Sequence, residues 1–286
     1  MTPNQTDSTN AEQIAYWNGP PGMRWLARQQ SQDAILAPVA KALYERARPL
    51  AGERVVDVGC GCGDTSVELA RRVAPGGHVL GVDISAPMLE RARQRITAGV
   101  PVEFALADAT VHPFAPAGAD LLFSRFGVMF FEDPVRSFKN LRGALRPGGR
   151  VAFACWREPK RNGWLTLALQ EAYKHVPKLP DFGPDAPGPF AFQSEARVRG
   201  ILGGAGFSSV EFEAVDLTLD IANGQGIDGA TDTATGVGPA SRALDGQPAE
   251  LQTAARAAIR AMLVERLVGD TVPLPASIWI VRAINA

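Results

Sequence analysis

Cysteine is scarce. Cys60, Cys62 and Cys155 are the only three in 286 residues, too few and too unevenly spaced for the disulfide framework of a small secreted domain, which points to a reducing compartment. The same scarcity works against structural zinc, because Cys60-x-Cys62 has no second pair and His78, His112 and His175 stand at unrelated spacings, whereas zinc takes four converging ligands. No metal site is expected. Excess charge is also missing: 29 basic against 30 acidic residues leave a net charge of −1, with no Lys/Arg stripe, so a nucleic-acid partner has no electrostatic footprint. No apolar run reaches the roughly 18 residues of a membrane span. The first dozen residues, rich in Asn, Gln, Ser and Thr, lack the basic start and apolar stretch of a signal peptide. A cytoplasmic chain is expected, with a homodimer left open.

What is present is ordinary globular material. Hydrophobic residues make up 46% and charged residues 21%, enough for a sizeable core, and the length suits one elaborated α/β domain. Between Arg54 and Trp156 apolar runs and amphipathic stretches alternate with short turns, the pattern of a doubly wound parallel sheet. The strands are read at Arg54 to Val58, His78 to Asp83, Val102 to Leu106, Asp120 to Ser124 and Arg150 to Trp156. The helices between them are read at Thr65 to Val73, Met88 to Thr97 and Asp133 to Leu145, with another at Ile35 to Ala47 ahead of the first strand. Further on, Val210 to Ile221 alternates like a half-buried strand, and Ile278 to Ile284 is expected to pair with it antiparallel. This makes a Rossmann-like, seven-stranded sheet with an antiparallel last strand. About fifty residues separate those two strands, among them a weak Gly/Thr/Ala segment (Gly224 to Gly246) and a helix at Ala249 to Val268 with Leu251, Ala255, Ile259, Met262 and Leu267 on one side. Excursions of that length are usually lids or binding elements. Three parts follow: an N-terminal helical cap (1–48), a core (49–156), and the rest of the sheet with lid insertions at 157–192 and 222–275 (157–286).

The most informative stretch is Val55-Val56-Asp57-Val58-Gly59-Cys60-Gly61-Cys62-Gly63-Asp64-Thr65, a strand breaking into alternating glycines and then a helix start. Without Cβ, Gly59, Gly61 and Gly63 let the backbone take positive φ and approach a ligand. The strand-to-helix turn places that approach at the carboxyl edge of the sheet. A dinucleotide site reads G-x-G-x-x-G, and here Asp64 takes the place of the third glycine. Asp57 and Asp64 would moreover flank a pyrophosphate with negative charge, so a cationic, phosphate-free ligand fits better. Asp57, Asp83 and Asp108 are read at the ends of neighbouring parallel strands, about 5 Å apart, and should line one crevice. Asp83, about 20 residues past the loop, is placed to accept both hydroxyls of a ribose, with Ile84 against the base. Asp108 can take the exocyclic amine of the base, and Asp57 can face a cationic group directly or through water.

Val55 to Asp64, Gly81-Val82-Asp83-Ile84-Ser85, Ala107-Asp108-Ala109, the run Ser124-Arg125-Phe126-Gly127-Val128-Met129-Phe130-Phe131, and Leu145-Arg146-Pro147-Gly148-Gly149 together resemble the successive motifs of the class I S-adenosylmethionine-dependent methyltransferases. They are most similar to the subgroup of ubiquinone/menaquinone-biosynthesis C-methyltransferases. The likeness covers residues 50–156 tightly and the flanks loosely. It implies S-adenosylmethionine as cofactor, with Gly59, Gly61 and Gly63 at the methionine moiety, Asp83 at the ribose, and Asp108 with Ala109 at the adenine. It further implies that Ser124 and Arg125 line the reaction centre, and that Tyr16, Trp17 and Trp25 close the N-terminal side.

Methyl transfer from a sulfonium is an in-line displacement on an activated carbon, so positioning and exclusion of water are the protein's main tasks. A base is optional; His112, Glu132, Tyr16 and His175 are the candidates, none with a motif behind it, and the catalytic residue stays unassigned. Phe182, Phe190, Phe192, Leu251, Ile259, Met262 and Met129 supply the apolar content expected for a small-organic-molecule pocket. Two other classes stay open: a cofactor-binding protein without methyl transfer, and a nucleotide-dependent oxidoreductase.

Overall fold

The computed structural model describes residues 10–180, 183 and 185–286; Phe182 lies outside them. Three helices lead the chain, α1 (Ala11–Asn18), α2 (Pro20–Ala27) and α3 (Gln29–Ala47). Pro20 starts α2, where its missing N–H would have had no partner in any case. The alternating part then runs β1 (Arg54–Val58), α4 (Asp64–Val73), β2 (His78–Asp83), α5 (Ala86–Gln94), β3 (Val102–Leu106), β4 (Ala119–Arg125), α6 (Pro134–Ala144) and β5 (Leu145–Trp156). After it come α7 (Gly163–Ala172), α8 (Glu195–Gly204), β6 (Ser208–Asp220), α9 (Gly226–Gly236), α10 (Gly238–Leu244), α11 (Ala249–Val264) and β7 (Pro273–Ile284).

The strands form one sheet in the order β3-β2-β1-β4-β5-β7-β6. All neighbours from β3 to β5 pair parallel, and β7 slots antiparallel between β5 and β6. The expected Rossmann-like sheet is therefore present. Its central strands are covered on both faces, which is why β4 reads as the unbroken apolar run Leu121-Leu122-Phe123, each at most 1% exposed. Helix α3 lays Ile35, Leu36, Val39 and Leu43 into that core, and Tyr44 stacks on Phe123 at 5.5 Å. Order reverses between β1 and β4, so the crevice that α/β sheets use for ligands opens at their carboxyl ends.

Two differences from the sequence reading have physical causes. Helix α3 starts six residues before Ile35, because its buried face there carries Gln29 and Gln32 rather than apolar side chains. The weak segment Gly224 to Gly246 is helical as α9 and α10, whose Ala230, Ala234, Ala240 and Ala243 are buried; packing overrides poor intrinsic propensity. Helix α11 ends at Val264, short of the expected Val268 and before Leu267, and buries a narrower stripe than expected, Ala255, Ile259, Met262 and Leu263, leaving Leu251 exposed. Among the described residues no helix is long and apolar enough to cross a membrane.

Candidate active site

The glycine loop is built from below. Val58 ends β1, and Gly59, Gly61 and Gly63 all take positive φ, at 68°, 53° and 80°. Gly59 answers to packing as well as to dihedral: a Cβ there would lie 2.6 Å from the Cα of Gly127, so the loop after β1 and the loop after β4 touch backbone to backbone. Gly61 differs, since a Cβ on it would meet only the Met88 sulfur at 3.9 Å. Its backbone faces open space. Its N–H donates to Asp83 Oδ2 at 2.7 Å, and Ser85 N donates to Asp83 Oδ1 at 2.8 Å. Asp83, the last residue of β2, thus ties the glycine loop to the start of α5 while each carboxylate oxygen keeps lone-pair capacity for a hydroxyl. Burial pushes its carboxyl above the usual carboxylate range.

Asp57 is not at the strand end. It pairs with Gly81, two residues before Asp83, and is fully buried. Thr65 Oγ1 and Ser66 Oγ of the first turn of α4 both donate to its Oδ2 at 2.6 Å, and its Oδ1 has no partner. Burial outweighs those two hydrogen bonds and pushes its carboxyl up to about 6. Asp108 lies two residues beyond β3, its Oδ1 accepting from Asn10 Nδ2 at 2.6 Å and Thr110 N at 2.9 Å. The three carboxylates thus stand at three levels rather than in one row: Asp57 is buried inside β1, Asp83 ends β2 and Asp108 lies beyond β3.

The N-terminal helices roof this crevice. Asn18 Nδ2 donates to Ile84 O at 2.9 Å, its Oδ1 accepts from Ala86 N at 3.0 Å, and Ser85 Oγ donates to Trp17 O at 2.9 Å. Tyr16, Trp17 and Trp25 form an edge-on aromatic cluster, with Trp17 against Phe130 at 5.3 Å. Beside the glycine loop Arg95 and Arg125 alternate with Asp33 and Asp64 in a ring of charge, at 2.7 Å (Arg95–Asp33), 3.1 Å (Arg95–Asp64), 3.0 Å (Arg125–Asp64) and 3.7 Å (Arg125–Asp33). The ring fastens α3 to α4, α5 and β4. Farther out, Arg24 pairs with Asp245 and Arg28 with Asp232, both bidentate, joining the roof to α9 and the end of α10.

A model of the methyltransferase domain matches residues 55–149. Demethylmenaquinone methyltransferase of Thermus thermophilus is 32% identical over 184 residues, which cover 60% of this chain and 80% of that protein. The chain belongs to the class I S-adenosylmethionine-dependent methyltransferases. Demethylmenaquinone methyltransferase of Clavibacter sepedonicus is 38% identical over 111 residues, 39% of this chain and 44% of that protein; the chain spans about half the length of several curated relatives it matches. In fold it resembles phosphoethanolamine N-methyltransferase 2 of Haemonchus contortus, solved with S-adenosylhomocysteine and phosphomonomethylethanolamine, at TM-score 0.55 and 19% identity, over 89% of this chain and 56% of that one.

The residues present fit the family's cofactor. An unpartnered, buried carboxylate oxygen on Asp57 invites a cation, Gly61 leaves room at the backbone, and Asp83 holds acceptors for two hydroxyls. Several expected site residues are placed otherwise than expected. Ser124, expected at the reaction centre, is 2% exposed and donates to Val58 O at 2.7 Å while accepting from Gly127 N at 3.1 Å, so it clamps the two loops together. Arg125, expected beside it, is spent in the charge ring. Ala109 is buried, with its carbonyl held by Asn140. Met129 and Phe192 belong to the core, Phe192 packed on Phe138 and Phe153. Of the candidate bases, His112 lies edge-on to Phe114 at 4.6 Å, and partial burial holds its imidazole below the usual histidine range. Cys60 and Cys62 are buried thiols; burial pushes Cys62 up to about 12, so both fill space. Among the described residues no His/Cys/Asp/Glu cluster could hold a metal.

Sequence reading missed Asn10 and Asn18, which join the roof to the rim, and Thr65, Ser66 and Gly127. Two hydroxyls directly after Asp64, eight and nine residues past Asp57 and in the first turn of α4, were the available signal for the pair under Asp57.

The state of Asp57 makes a testable pH dependence. Its folded pKa of about 6 lies above the ordinary carboxylate value of 3.8, so the native state binds the extra proton and Asp57's contribution to stability is lost as pH rises from about 4 through 6. Asp57→Asn has no such loss. It is expected to be more stable than the parent above pH 6, by up to about 3 kcal/mol for the roughly two-unit shift, with the gap closing toward pH 4. The same variant should bind S-adenosylmethionine roughly tenfold more weakly at pH 7.5, for about 1.4 kcal/mol of lost charge-assisted contact. The parent's affinity should fall below pH 6, and the variant's should not. Urea melts and calorimetric titrations across pH 4.5–8 read both effects; parallel profiles for the two proteins would show that Asp57 does not meet the cation.

Proposed function

We propose that this chain transfers the methyl group of S-adenosylmethionine to a small, largely apolar organic molecule, at oxygen, carbon or nitrogen. The observation that carries this reading is the Asp83 carboxylate, fastened to both Gly61 N and Ser85 N on the level above the unpartnered oxygen of Asp57. Asp83 would hold the ribose, Asp57 the methionine ammonium, Gly59, Gly61 and Gly63 the methionine chain, and Asp108 with Ile84 the adenine. When bound, the cofactor supplies a methyl carbon already activated by the sulfonium. The chain's own work is placement. The charge ring fixes the helix behind the glycine loop, Ser124 sets the loop after β4, and Tyr16, Trp17 and Trp25 with α1 and α2 keep water off the crevice.

In this reading residues 1–48 form the cap, 49–156 the cofactor core, and 157–286 complete the sheet and supply the substrate lid from 157–192 and 222–275. Support for an apolar acceptor comes from the matched relatives, which include enzymes named for demethylmenaquinone and aklanonic acid. A cytoplasmic location goes with it, supported by three buried, unpaired thiols. The reading also carries no nucleic-acid partner, supported by the net charge of −1.

The test is incubation with methyl-labelled S-adenosylmethionine and a panel of phenols, quinols, amines and carboxylates. Label in an organic product, with S-adenosylhomocysteine formed in equal amount, is expected. Absence of calorimetric heat with either S-adenosylmethionine or S-adenosylhomocysteine overturns the reading.

A further inference from the structure

Two pairs of side chains, each spaced one helical turn apart, meet beside the glycine loop: Gln29 and Asp33 on α3, and Arg91 on α5 with Arg95 at its C-terminal end. Arg91 Nε donates to Gln29 Oε1 at 3.1 Å, and Gln29 Nε2 donates to Asp33 Oδ2. The same Asp33 oxygen accepts from Arg95 Nη1 at 2.7 Å, and Arg95 Nη1 also donates to Cys62 O at 3.1 Å. An unbroken chain of hydrogen bonds therefore runs from Arg91 to the backbone between Gly61 and Gly63.

The Arg91 end of that chain opens on a cleft of about 760 Å³ between the α2–α3 elbow, α5 and the start of α9, within the size range of small-molecule sites. None of the residues assigned to the cofactor lines it. One wall is apolar, made by Met23 and Leu26 of α2 and Pro87 of α5, with Met23 48% exposed.

Charge in the cleft is unevenly matched. Arg28 and Asp232 neutralise each other at 2.7 Å, and nearby Arg95 and Arg125 each meet two carboxylates. Arg91 meets none among the described residues: besides Gln29 it donates only to Gln94 Oε1, at 3.3 Å, and both acceptors are neutral amides. Gln29, 6% exposed, holds the guanidinium by Nε. That leaves the Nη1/Nη2 edge as a planar fork, the shape that takes a carboxylate through two parallel hydrogen bonds once the long contact to Gln94 gives way. The exposed Glu90 lines the same cleft, so a second negative charge on the ligand would be repelled and a carboxylate is favoured over a phosphate dianion.

We infer that this cleft is an effector site for a monocarboxylate with an apolar body: the carboxylate sits on the Arg91 fork, the body lies on Met23, Leu26 and Pro87, and occupancy tightens cofactor binding through the Gln29–Asp33–Arg95 chain. The coupling rests on the methyltransferase reading; the carboxylate site does not. A carboxylate that fixes Arg91 also fixes Gln29 and, beyond it, the pair that holds the glycine loop by Cys62 O, so it removes part of the ordering that the cofactor would otherwise impose. Linkage makes the effect mutual, and the cofactor must tighten the carboxylate by the same factor.

The experiment is calorimetry at pH 7.5 on the full chain with octanoate, octan-1-ol and octyl phosphate, each with and without S-adenosylhomocysteine. Octanoate is expected to bind about tenfold more tightly than octan-1-ol, which has the chain without the charge, and more tightly than octyl phosphate. Saturating octanoate should tighten S-adenosylhomocysteine about fivefold, and the reverse titration should give the same factor. Arg91→Gln should weaken octanoate about tenfold and abolish the coupling, leaving the affinity for S-adenosylhomocysteine alone unchanged. Gln29→Met keeps the volume and breaks the chain; it should still bind octanoate and lose the coupling. Hydrogen exchange at the Gly59 to Gly63 amides should slow with octanoate in the parent and not in Gln29→Met, a readout that needs no cofactor. Octanoate binding unchanged by Arg91→Gln would put the probe in another pocket and overturn the inference, as would tighter binding of octyl phosphate, an S-adenosylhomocysteine affinity that octanoate does not move, or coupling that survives Gln29→Met. A parent protein that takes octanoate at Arg91 and fails to bind S-adenosylhomocysteine at all would instead defeat the methyltransferase reading and, with it, the coupling.

Discussion

Asp83→Ala is expected to weaken S-adenosylhomocysteine binding at least ~100-fold. Each hydrogen bond from a ribose hydroxyl to an ionised carboxylate contributes about 1.5–3 kcal/mol, and two of them give about 3 kcal/mol or more, where 1.4 kcal/mol is a factor of ten. The loss is compounded within the protein. Asp83 also accepts from Gly61 N and Ser85 N, so its removal leaves the glycine loop and the start of α5 without the group that spans them. Asp83→Asn keeps the shape, and an amide can accept with one oxygen only, so its affinity should fall between alanine and parent. Calorimetric titration orders the three proteins. Dissociation constants within threefold of one another would mean that the ribose lies elsewhere.

The second large effect is steric and needs no ligand. A methyl group on Gly127 would sit 2.5 Å from Val58 O, 2.7 Å from Gly59 Cα and 3.1 Å from Ser124 Oγ, and the first two of these are backbone atoms that no rotamer change can move aside. Overpacking of this kind costs about 1–3 kcal/mol. At this chain length that corresponds to a fall of roughly 3–10 °C in Tm. Because the clash is with the glycine loop, Gly127→Ala should also lower cofactor affinity although residue 127 carries no polar side chain. Gly200→Ala is the control: it lies inside α8 with nothing within 4 Å of the added methyl and is expected to stabilise by about 0.5–1 kcal/mol through helix propensity. Thermal unfolding of the pair decides. Equal midpoints for Gly127→Ala and parent would show that the two loops are free to part.

Much of the site was legible because its signals are local. The glycine spacing sets three positive φ angles in one turn, and the Asp64 that replaces a third dinucleotide glycine is a fact of sequence alone. Asp83 was identifiable because a carboxylate ending the second strand follows from the length of the intervening helix. The level of Asp57 was not, since whether a residue ends a strand or lies one step below the rim depends on its register against Gly81. Nor did composition reveal the fate of Ser124 and Arg125. Both are polar residues at the end of a strand, and a polar residue there can face a ligand or a neighbour. Here the neighbours, Val58 O and the Asp33/Asp64 pair, come from β1, α3 and α4.

The N-terminal aromatics and the lid show the same division. Tyr16, Trp17 and Trp25 announced a cluster, while the asparagines that lock it to the rim, Asn10 and Asn18, are ordinary polar residues until folding brings them against Asp108 and Ile84, 98 and 66 positions away in the chain. Sequence by itself determined the alternation of strands and helices, the sheet they build, the glycine loop and the charge it favours, because each is encoded over a few consecutive residues. Only tertiary structure decided which carboxylate is left with a bare oxygen and which polar groups are consumed in fastening helices. Those outcomes depend on what arrives from elsewhere in the chain, and burial makes a missing partner costly whenever none arrives.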